Sequence, residues 1–282
     1  MHTFTSGSLE TAALRAAELG ANTFQIFSAS PRMWRARAAD AQQIRLMRAA
    51  RERHDLYPLA IHANYLINLA SVDAVIRPKS IDAFRGEIER AEAIGAEHLV
   101  VHPGSYRGQS VEEGIAAVAL ALRDAAEGLG PLRVKVLLEN TAGSGAALGS
   151  RFEELQRIRE LAGELTDLAV GYCLDTCHLL AAGFDIASPA GLRETVRHAD
   201  NVFGLDHVYM FHANDSKAPR GSRVDRHANI GEGHIGIDAF RRILTHPKLR
   251  GKPFVLETPV DQPGDDRRNL DMLNELARRR RG

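Results

Sequence analysis

Seven short apolar runs recur along the chain, each followed by a stretch of helical period, and this alternation limits the fold more than any other feature. The runs are Thr23 to Ser28, Pro58 to His62, His98 to His102, Val134 to Glu139, Leu168 to Asp175, His207 to His212 and Pro253 to Glu257. They are brief and rich in Val, Ile, Leu or Phe, which reads as strands buried on both faces. The segments between them carry helical spacing, as in Ile81, Phe84, Ile88, Ala91 and Ile94, with apolar positions three or four residues apart. Consecutive strands separated by helices pair in parallel through right-handed crossovers, and eight such units close into a barrel. Seven units plus whatever Met1 to Thr5 contributes therefore predict an α/β chain folded as a (β/α)8 TIM barrel. An open doubly wound sheet is the alternative, but no G-x-G-x-x-G follows an early strand, so a dinucleotide fold lacks support.

Length does not decide the domain count, because 282 residues fit two domains of roughly 150 or one α/β barrel of about 250. The chain lacks a Pro/Gly/Ser linker and any low-complexity segment, which favours one domain over residues 1–282. Composition, with 44% hydrophobic and 26% charged residues, is that of a soluble globular protein. Thirty-six basic residues balance 36 acidic ones, which excludes a whole-molecule basic field, so any polyanion must meet a local patch or a bound metal. No apolar run approaches the roughly 20 residues of a membrane span, and Met1-His2-Thr3-Phe4-Thr5-Ser6 lacks a basic region followed by a hydrophobic one. The expectation is a cytoplasmic protein without a membrane partner. Cys173 and Cys177 are too close together to staple such a chain and read as small buried hydrophobes. The Arg278-Arg279-Arg280-Arg281 run reads as a solvated helix end, where cations suit the helix dipole.

What terminates the strands is chemically informative. His62, His102, Glu139, Asp175, His212 and Glu257 close six of the runs, at intervals of 40, 37, 36, 37 and 45 residues. Each interval is one β/α unit, so all six side chains should gather at the C-terminal end of the barrel, where active sites of this fold lie. With 12 His and 36 Asp plus Glu in the chain, six strand ends in six being metal-ligand types is far from random expectation. Three more candidates follow in the loops: His178, three residues after Asp175, and the D-x-H pair Asp225 and His227.

Nine groups of mixed imidazole and carboxylate character suit zinc or manganese better than magnesium, and they exceed the three or four ligands of one catalytic zinc. A multinuclear site is implied. Clustered divalent cations activate water near neutral pH and neutralise a phosphoryl group under in-line attack, so phosphoester hydrolysis is the natural chemistry. Aldose–ketose isomerisation or epimerisation of a sugar also uses metals at a barrel mouth. It needs fewer ligands, and it has no use for the loop carrying Arg223, Asp225, Arg226 and His227. A third reading is a non-catalytic barrel that binds metal and DNA, against which the intact ligand set argues.

An ordered set of motifs resembles the endonuclease IV (deoxyribonuclease IV) family of apurinic/apyrimidinic endonucleases over nearly the whole chain. It comprises Tyr65-Leu66-Ile67-Asn68-Leu69 after His62, then His102-Pro103-Gly104-Ser105, and Glu139-Asn140-Thr141-Ala142-Gly143 running on to Leu148-Gly149. Asp175-Thr176-Cys177-His178 with Ala181-Ala182-Gly183 follows, and Gly221-Ser222-Arg223-Val224-Asp225-Arg226-His227 leads into Gly231-Glu232-Gly233. The resemblance implies a xylose-isomerase-like TIM barrel, monomeric, with three zinc ions per chain, manganese being an alternative at one site. It implies hydrolysis of the phosphodiester 5′ to an abasic nucleotide in double-stranded DNA, leaving a 3′-hydroxyl, and trimming of blocked 3′ ends.

By motif position, His62, His102 and Glu139 resemble the ligands of one zinc. Glu139 would bridge to a second that Asp175, His212 and Glu257 complete, while His178, Asp225 and His227 would hold a third. Glu139 and Glu257 are the expected catalytic carboxylates. Arg32 and Tyr65 resemble the pair that family members insert into DNA to hold the abasic nucleotide out of the stack, with Arg223 and Arg226 as further DNA contacts. Two features depart from the family pattern. Ser28-Ala29-Ser30-Pro31 stands where Lys-Asn is usual, and His2 is reached almost at once, with Ser8 in the place of a glycine. The first strand is therefore expected to be shortened, leaving a loose seam beside the Phe254 to Glu257 strand and making Glu257 the least rigidly held ligand.

Overall fold

The structure, a computed structural model, describes residues 1–5, 7–30, 32–34 and 40–278. Residues 279–281 of the arginine run and Pro31 thus lie outside the described residues. Seven strands form one parallel sheet: β1 (Phe24–Phe27), β2 (Leu59–His62), β3 (His98–Val101), β4 (Lys135–Glu139), β5 (Val170–Asp175), β6 (Val208–His212) and β9 (Phe254–Val255), paired in that order. A separate antiparallel pair, β7 (Asp215–Ser216) with β8 (His227–Ala228), lies between β6 and β9 in the chain. Helices α1 (Leu9–Leu19), α2 (Ala41–His54), α3 (Ile76–Ile94), α4 (Val111–Ala126), α5 (Phe152–Leu165), α7 (Pro189–Phe203), α8 (Ile237–Thr245) and α9 (Asp265–Ala277) alternate with the strands. A short α6 (Thr176–Ala182) follows β5 directly. The chain folds as a TIM barrel, as its alternating pattern requires.

Helix ends follow local chemistry. Ser110 and Glu113 form a reciprocal capping box at the start of α4, and Ser188 caps α7 with Pro189 at its first turn. Both faces of the sheet are covered, which explains the continuous apolar runs. Outward residues such as Ile61, Leu99, Val136, Leu138 and Phe211 join the helix-facing core, while Ala60, Val100, Leu137, Cys173, Met210 and Val255 fill the barrel interior.

That interior layer places the site. Each of its six members stands two residues before one of the strand-terminal His, Asp or Glu residues: Ala60 before His62, Val100 before His102, Leu137 before Glu139, Cys173 before Asp175, Met210 before His212 and Val255 before Glu257. Side chains of a strand repeat every second residue. The ligand-type residues are therefore the next layer up, pointing along the axis toward the mouth.

The eighth position is filled by the chain's first residues. Gln25 N–H donates to Met1 O at 2.9 Å, Thr3 N–H donates to Gln25 O at 2.8 Å, and His2 N–H donates to Leu256 O at 2.8 Å on the other side. The segment is short, as expected, forming a single parallel bridge between His2 and Gln25. It bonds to both neighbours, through Met1 and Thr3 to Gln25 on the β1 side and through His2 to Leu256 on the β9 side.

Candidate metal centre

All nine side chains singled out in the sequence converge at the C-terminal mouth. His62, Glu139, Asp175 and His212 are the last residues of β2, β4, β5 and β6, and His102 directly follows β3. Asp175 and His212 are lateral partners across β5 and β6. Asp175 also caps α6, its Oδ1 accepting from His178 N at 2.8 Å. The strand-to-helix turn at Asp175-Thr176-Cys177-His178 thus swings His178 back over the site, so His178 lies in a helix and not in a loop.

The Asp225 loop is tied to α6 by two backbone bonds, Gly221 N to Leu180 O at 2.9 Å and Arg223 N to Ala181 O at 3.0 Å. His227 sits in β8, whose pairing with β7 fixes its approach. Beneath this loop Asp215 is fully buried, and its carboxylate accepts from the N–H groups of Ser216, Gly231, Gly233, Ile235 and Gly236 at 2.8 to 3.2 Å.

Glu139 is the hub. Its Oε2 lies 3.1 Å from His62 Nε2 and 3.4 Å from His102 Nε2, and its Oε1 lies 2.8 Å from His212 Nδ1 and 3.5 Å from His178 Nδ1. His212 Nδ1 is also 3.3 Å from Glu257 Oε2. At the outer end, Asp225 Oδ2 is 3.2 Å from His178 Nε2 and Asp225 Oδ1 is 3.3 Å from His227 Nε2. Three donor groups result, each with ligand atoms within 4.8 Å of one another: His62, His102 and Glu139; Glu139, Asp175, His212 and Glu257; and His178, Asp225 and His227. Cys177 falls within the same reach of Asp175 and His227, but burial pushes its thiol up to about 12 and its Sγ donates to Arg226 O at 3.7 Å.

The imidazole hydrogen bonds show what this arrangement can hold. His62 Nδ1 is bonded to Ala63 O at 2.7 Å, His178 Nδ1 to Asn140 O at 2.9 Å, His227 Nδ1 to Glu257 O at 3.1 Å, and His212 Nε2 to Gln25 Oε1 at 2.9 Å. Each partner is a carbonyl oxygen, which only accepts, so the proton sits on that nitrogen and the opposite nitrogen presents a lone pair. Those lone pairs face carboxylate oxygens, an arrangement that requires a positive charge between them. His178 Nε2 and His227 Nε2 are buried without a hydrogen-bond partner. The donor set therefore fits divalent cations.

Protons answer the same demand in the metal-free cluster. Burial lowers the basicity of His178 and His212, but for His178 the neighbouring carboxylates, and for His212 the Cys173 sulfur together with Glu139 and Glu257, outweigh it and raise both well above the usual range. For His227, burial is outweighed by the Asp175 charge and the adjacent Asp225 carboxylate, which bring it to about 9. Glu139 is held well below the usual carboxylate range: burial alone would raise it, and the charges of His212 and His102 prevail.

Four residues that support the site were not singled out in the sequence. Asn140 Oδ1 accepts from Asp175 N at 2.7 Å. Asn214 joins two ligands, its Nδ2 donating to Asp175 Oδ2 at 2.6 Å and its Oδ1 accepting from Glu257 N at 2.8 Å. Gln25 donates through Nε2 to Glu257 Oε1 at 2.6 Å. Asp215 is the fourth, holding the loop that follows β8. Glu257 is consequently held at its N–H, its carbonyl and its carboxylate. The legible signal for Gln25 was a polar residue inside the run Phe24-Gln25-Ile26-Phe27, since a buried amide needs partners.

The mouth opens into a cleft of about 390 Å³ whose lining includes His102, His178, Asp225, Tyr65, Asn68 and Ser144. Tyr65 is 66% exposed, and its ring leans edge-on against Phe27 with centroids 5.2 Å apart. Arg32, Arg223 and Arg226 are all exposed. Arg223 adopts a left-handed backbone with φ of 57° and accepts from Ser144 Oγ at 2.5 Å through its carbonyl.

Among the described residues no helix is long and apolar enough to cross a membrane. A family model described as a xylose isomerase-like TIM barrel matches residues 13–276. The chain is 73% identical over 277 residues to "probable endonuclease 4" of Solibacter usitatus, covering 98% of this chain and 96% of that protein. It is 41% identical over 278 residues to the protein of the same name in Chloroflexus aurantiacus, with the same coverages. The crystal structure of endonuclease IV from Thermus thermophilus superposes with a TM-score of 0.87 at 36% identity, over 98% of this chain and 97% of that one. A D-tagatose 3-epimerase-like protein, 22% identical with a TM-score of 0.70 over 98% of this chain and 96% of its own, shares the fold alone. On sequence identity and structural likeness along nearly its full length, the chain belongs to the endonuclease IV family.

Proposed function

We infer that this protein is a metal-dependent endonuclease of DNA repair. It hydrolyses the phosphodiester 5′ to abasic sites in duplex DNA, leaves a 3′-hydroxyl, and trims blocked 3′ ends by the same chemistry. The observation that carries the reading is the convergence of two donor groups on the two oxygens of Glu139, with a third group standing over them at Asp225. One or two cations, as a sugar epimerase would need, leave the Asp225 and His227 loop without a function.

In this reading three zinc ions, with manganese as an alternative at one site, are held by His62, His102 and Glu139, by Glu139, Asp175, His212 and Glu257, and by His178, Asp225 and His227. Cations so placed supply Lewis-acid activation of water and neutralise charge on a phosphoryl group attacked in line. The protein's own part is positional. Glu139 and Glu257 keep their carboxylates ionised at the barrel axis, and the backbone carbonyls of Ala63, Asn140 and Glu257 lock three imidazoles in one tautomer. Tyr65, exposed beside His62 with ring centroids 6.1 Å apart, offers an aromatic face to the gap left by the missing base. An abasic nucleotide has no pairing to lose on leaving the stack, which favours it over intact sites. Because the chain has no net charge, grip on the phosphate backbone rests on local cations: Arg32, Arg223 and Arg226.

A duplex oligonucleotide with one abasic analogue tests this directly. The expected result is a nick 5′ to the analogue that is abolished by chelation and restored by zinc, with about three zinc per chain by elemental analysis. Duplex affinity should fall with salt with a log–log slope of about 0.9 per phosphate neutralised. An uncut duplex with the metal-loaded protein, or a stoichiometry of one with sugar-epimerising activity, overturns the reading.

A further inference from the structure

Gln25 occupies a singular place in the barrel. It is an inward residue of β1, fully buried, whereas the inward layer of β2, β3, β4, β5, β6 and β9 holds Ala60, Val100, Leu137, Cys173, Met210 and Val255. A primary amide buried at such a position costs free energy unless its oxygen and both its hydrogens are matched. They are: Oε1 accepts from His212 Nε2 at 2.9 Å, while Nε2 donates to Glu257 Oε1 at 2.6 Å and to His2 Nδ1 at 3.0 Å. The orientation of the amide is dictated by its surroundings, because the reverse orientation would set an oxygen against the Glu257 carboxylate.

We propose that Gln25 is the positioning residue that orients two ligands of the second cation at once, the His212 ring and the Glu257 carboxylate, and so determines how firmly that cation is held. The inference rests on the three-cation reading above and deepens it. An amide oxygen accepts only, so it obliges His212 to carry its proton on Nε2 and to turn the Nδ1 lone pair toward Glu139 Oε1 and Glu257 Oε2, 2.8 and 3.3 Å away. An amide nitrogen donates only, so it occupies Oε1 of Glu257 and leaves Oε2 turned toward His212 Nδ1 for the cation. A neutral side chain does both without adding a charge that would compete for the metal. The backbone of Gln25 also pairs with Met1 and Thr3 at the barrel join, so the residue that closes the barrel also anchors Glu257, whose own strand stops at Val255.

Two substitutions separate positioning from packing. Gln25→Met keeps the length and removes all three side-chain hydrogen bonds. Gln25→Glu keeps an acceptor for His212 but sets a second carboxylate against Glu257. Loss of a group supporting a metal ligand typically costs about 10- to 100-fold in metal affinity. Zinc-loaded protein is challenged with excess chelator, and release is followed with a colorimetric zinc indicator. Wild type should release its cations in resolved phases, and each variant should release one cation at least about tenfold faster with the other phases unchanged. Cobalt-substituted protein should show altered visible bands in both variants, since the ligand field of one ion changes. The metal-free forms should melt within a few degrees of metal-free wild type.

Release rates and cobalt bands identical to wild type in both variants overturn the role of Gln25 while leaving the three-cation site standing. Equal acceleration of every phase together with a lowered melting temperature of the metal-free protein overturns it too, because that is the mark of a packing defect. A wild-type protein that retains no cation overturns both the site and this inference.

Discussion

His212 Nδ1 lies 2.8 Å from Glu139 Oε1 although the ring's proton is already committed to Gln25 through Nε2. Two acceptors at hydrogen-bond distance in a fully buried setting are stable only with a proton or a cation between them. The pair thus defines both the electrostatic character of the mouth and the way it can be tested.

Glu139→Gln should fold and fail to cleave. An amide keeps the volume but presents one acceptor oxygen and a donor to two donor groups that each need an anion. Turnover on an abasic duplex should fall by more than about 100-fold, beyond the range for residues that merely support ligands, with an unchanged circular dichroism spectrum. Wild-type turnover would remove the bridging assignment.

His227→Ala isolates the outer group. Elemental analysis should show about one cation fewer per chain, with the cations at Glu139 retained, since His227 faces Asp225 and Asp175 and not Glu139. Turnover should drop strongly, as a catalytic ion clamps the reacting phosphate. An unaltered stoichiometry would show that the outer group holds nothing.

Protons and cations should compete for these lone pairs. In metal-free protein the raised His227, at about 9 against 6.5 for a free imidazole, contributes stability that is fully present below the unfolded value and is lost as pH rises through the folded one. The carboxylates Glu139 and Glu257, both depressed, contribute stability present above their unfolded values and lost as pH falls through the folded ones. The melting temperature of chelated protein should therefore decline between about pH 6.5 and 9. The increment produced by zinc should grow across the same window. A zinc increment that is flat from about pH 6.5 to 9 in thermal scans would contradict this competition.

Tyr65→Ala should leave stability nearly unchanged, because the side chain is largely exposed, and weaken binding to an abasic duplex. Aromatic stacking against nucleic acid is worth about 1–3 kcal/mol, or roughly 5- to 150-fold in affinity, read by fluorescence anisotropy with cations present. Equal affinities would place Tyr65 outside the DNA interface.

Asp215→Ala should unfold the loop that follows β8 without touching a donor atom. Five backbone N–H groups lose their shared acceptor, and even one unsatisfied buried donor costs about 1–3 kcal/mol. A loss of at least about 3 kcal/mol in denaturant unfolding is expected. Gly233→Ala should act similarly, since a Cβ there would lie 2.4 Å from Ser216 O and 2.5 Å from Asp215 Oδ1. A loss below about 1 kcal/mol in both variants would show that water replaces the carboxylate.

The barrel and its donor set were legible in the chain because both depend on short-range periodicity. A strand repeats every two residues and a β/α unit every 36 to 45 here, so a ligand-type residue at the end of each run must stand at the mouth once the strands are parallel. In the structure Asp175 and His212 stand side by side across β5 and β6. Less was legible where a residue's role depends on a partner far along the chain. Nothing local to Gln25 announces that it meets His212 and Glu257, 187 and 232 residues away.

Sequence alone therefore determined the class of fold and the gathering of nine ligand-type side chains at one end of the barrel, because these follow from spacing and residue type. Tertiary structure decided which nitrogen of four imidazoles keeps its proton, which buried amides orient Asp175, His212 and Glu257, and that Met1 to Thr3 lie between Gln25 and Leu256. Those outcomes depend on hydrogen bonds to carbonyl and amide oxygens brought within about 3 Å by the packing of distant strands. Such directional contacts leave no period in the chain from which they could be read.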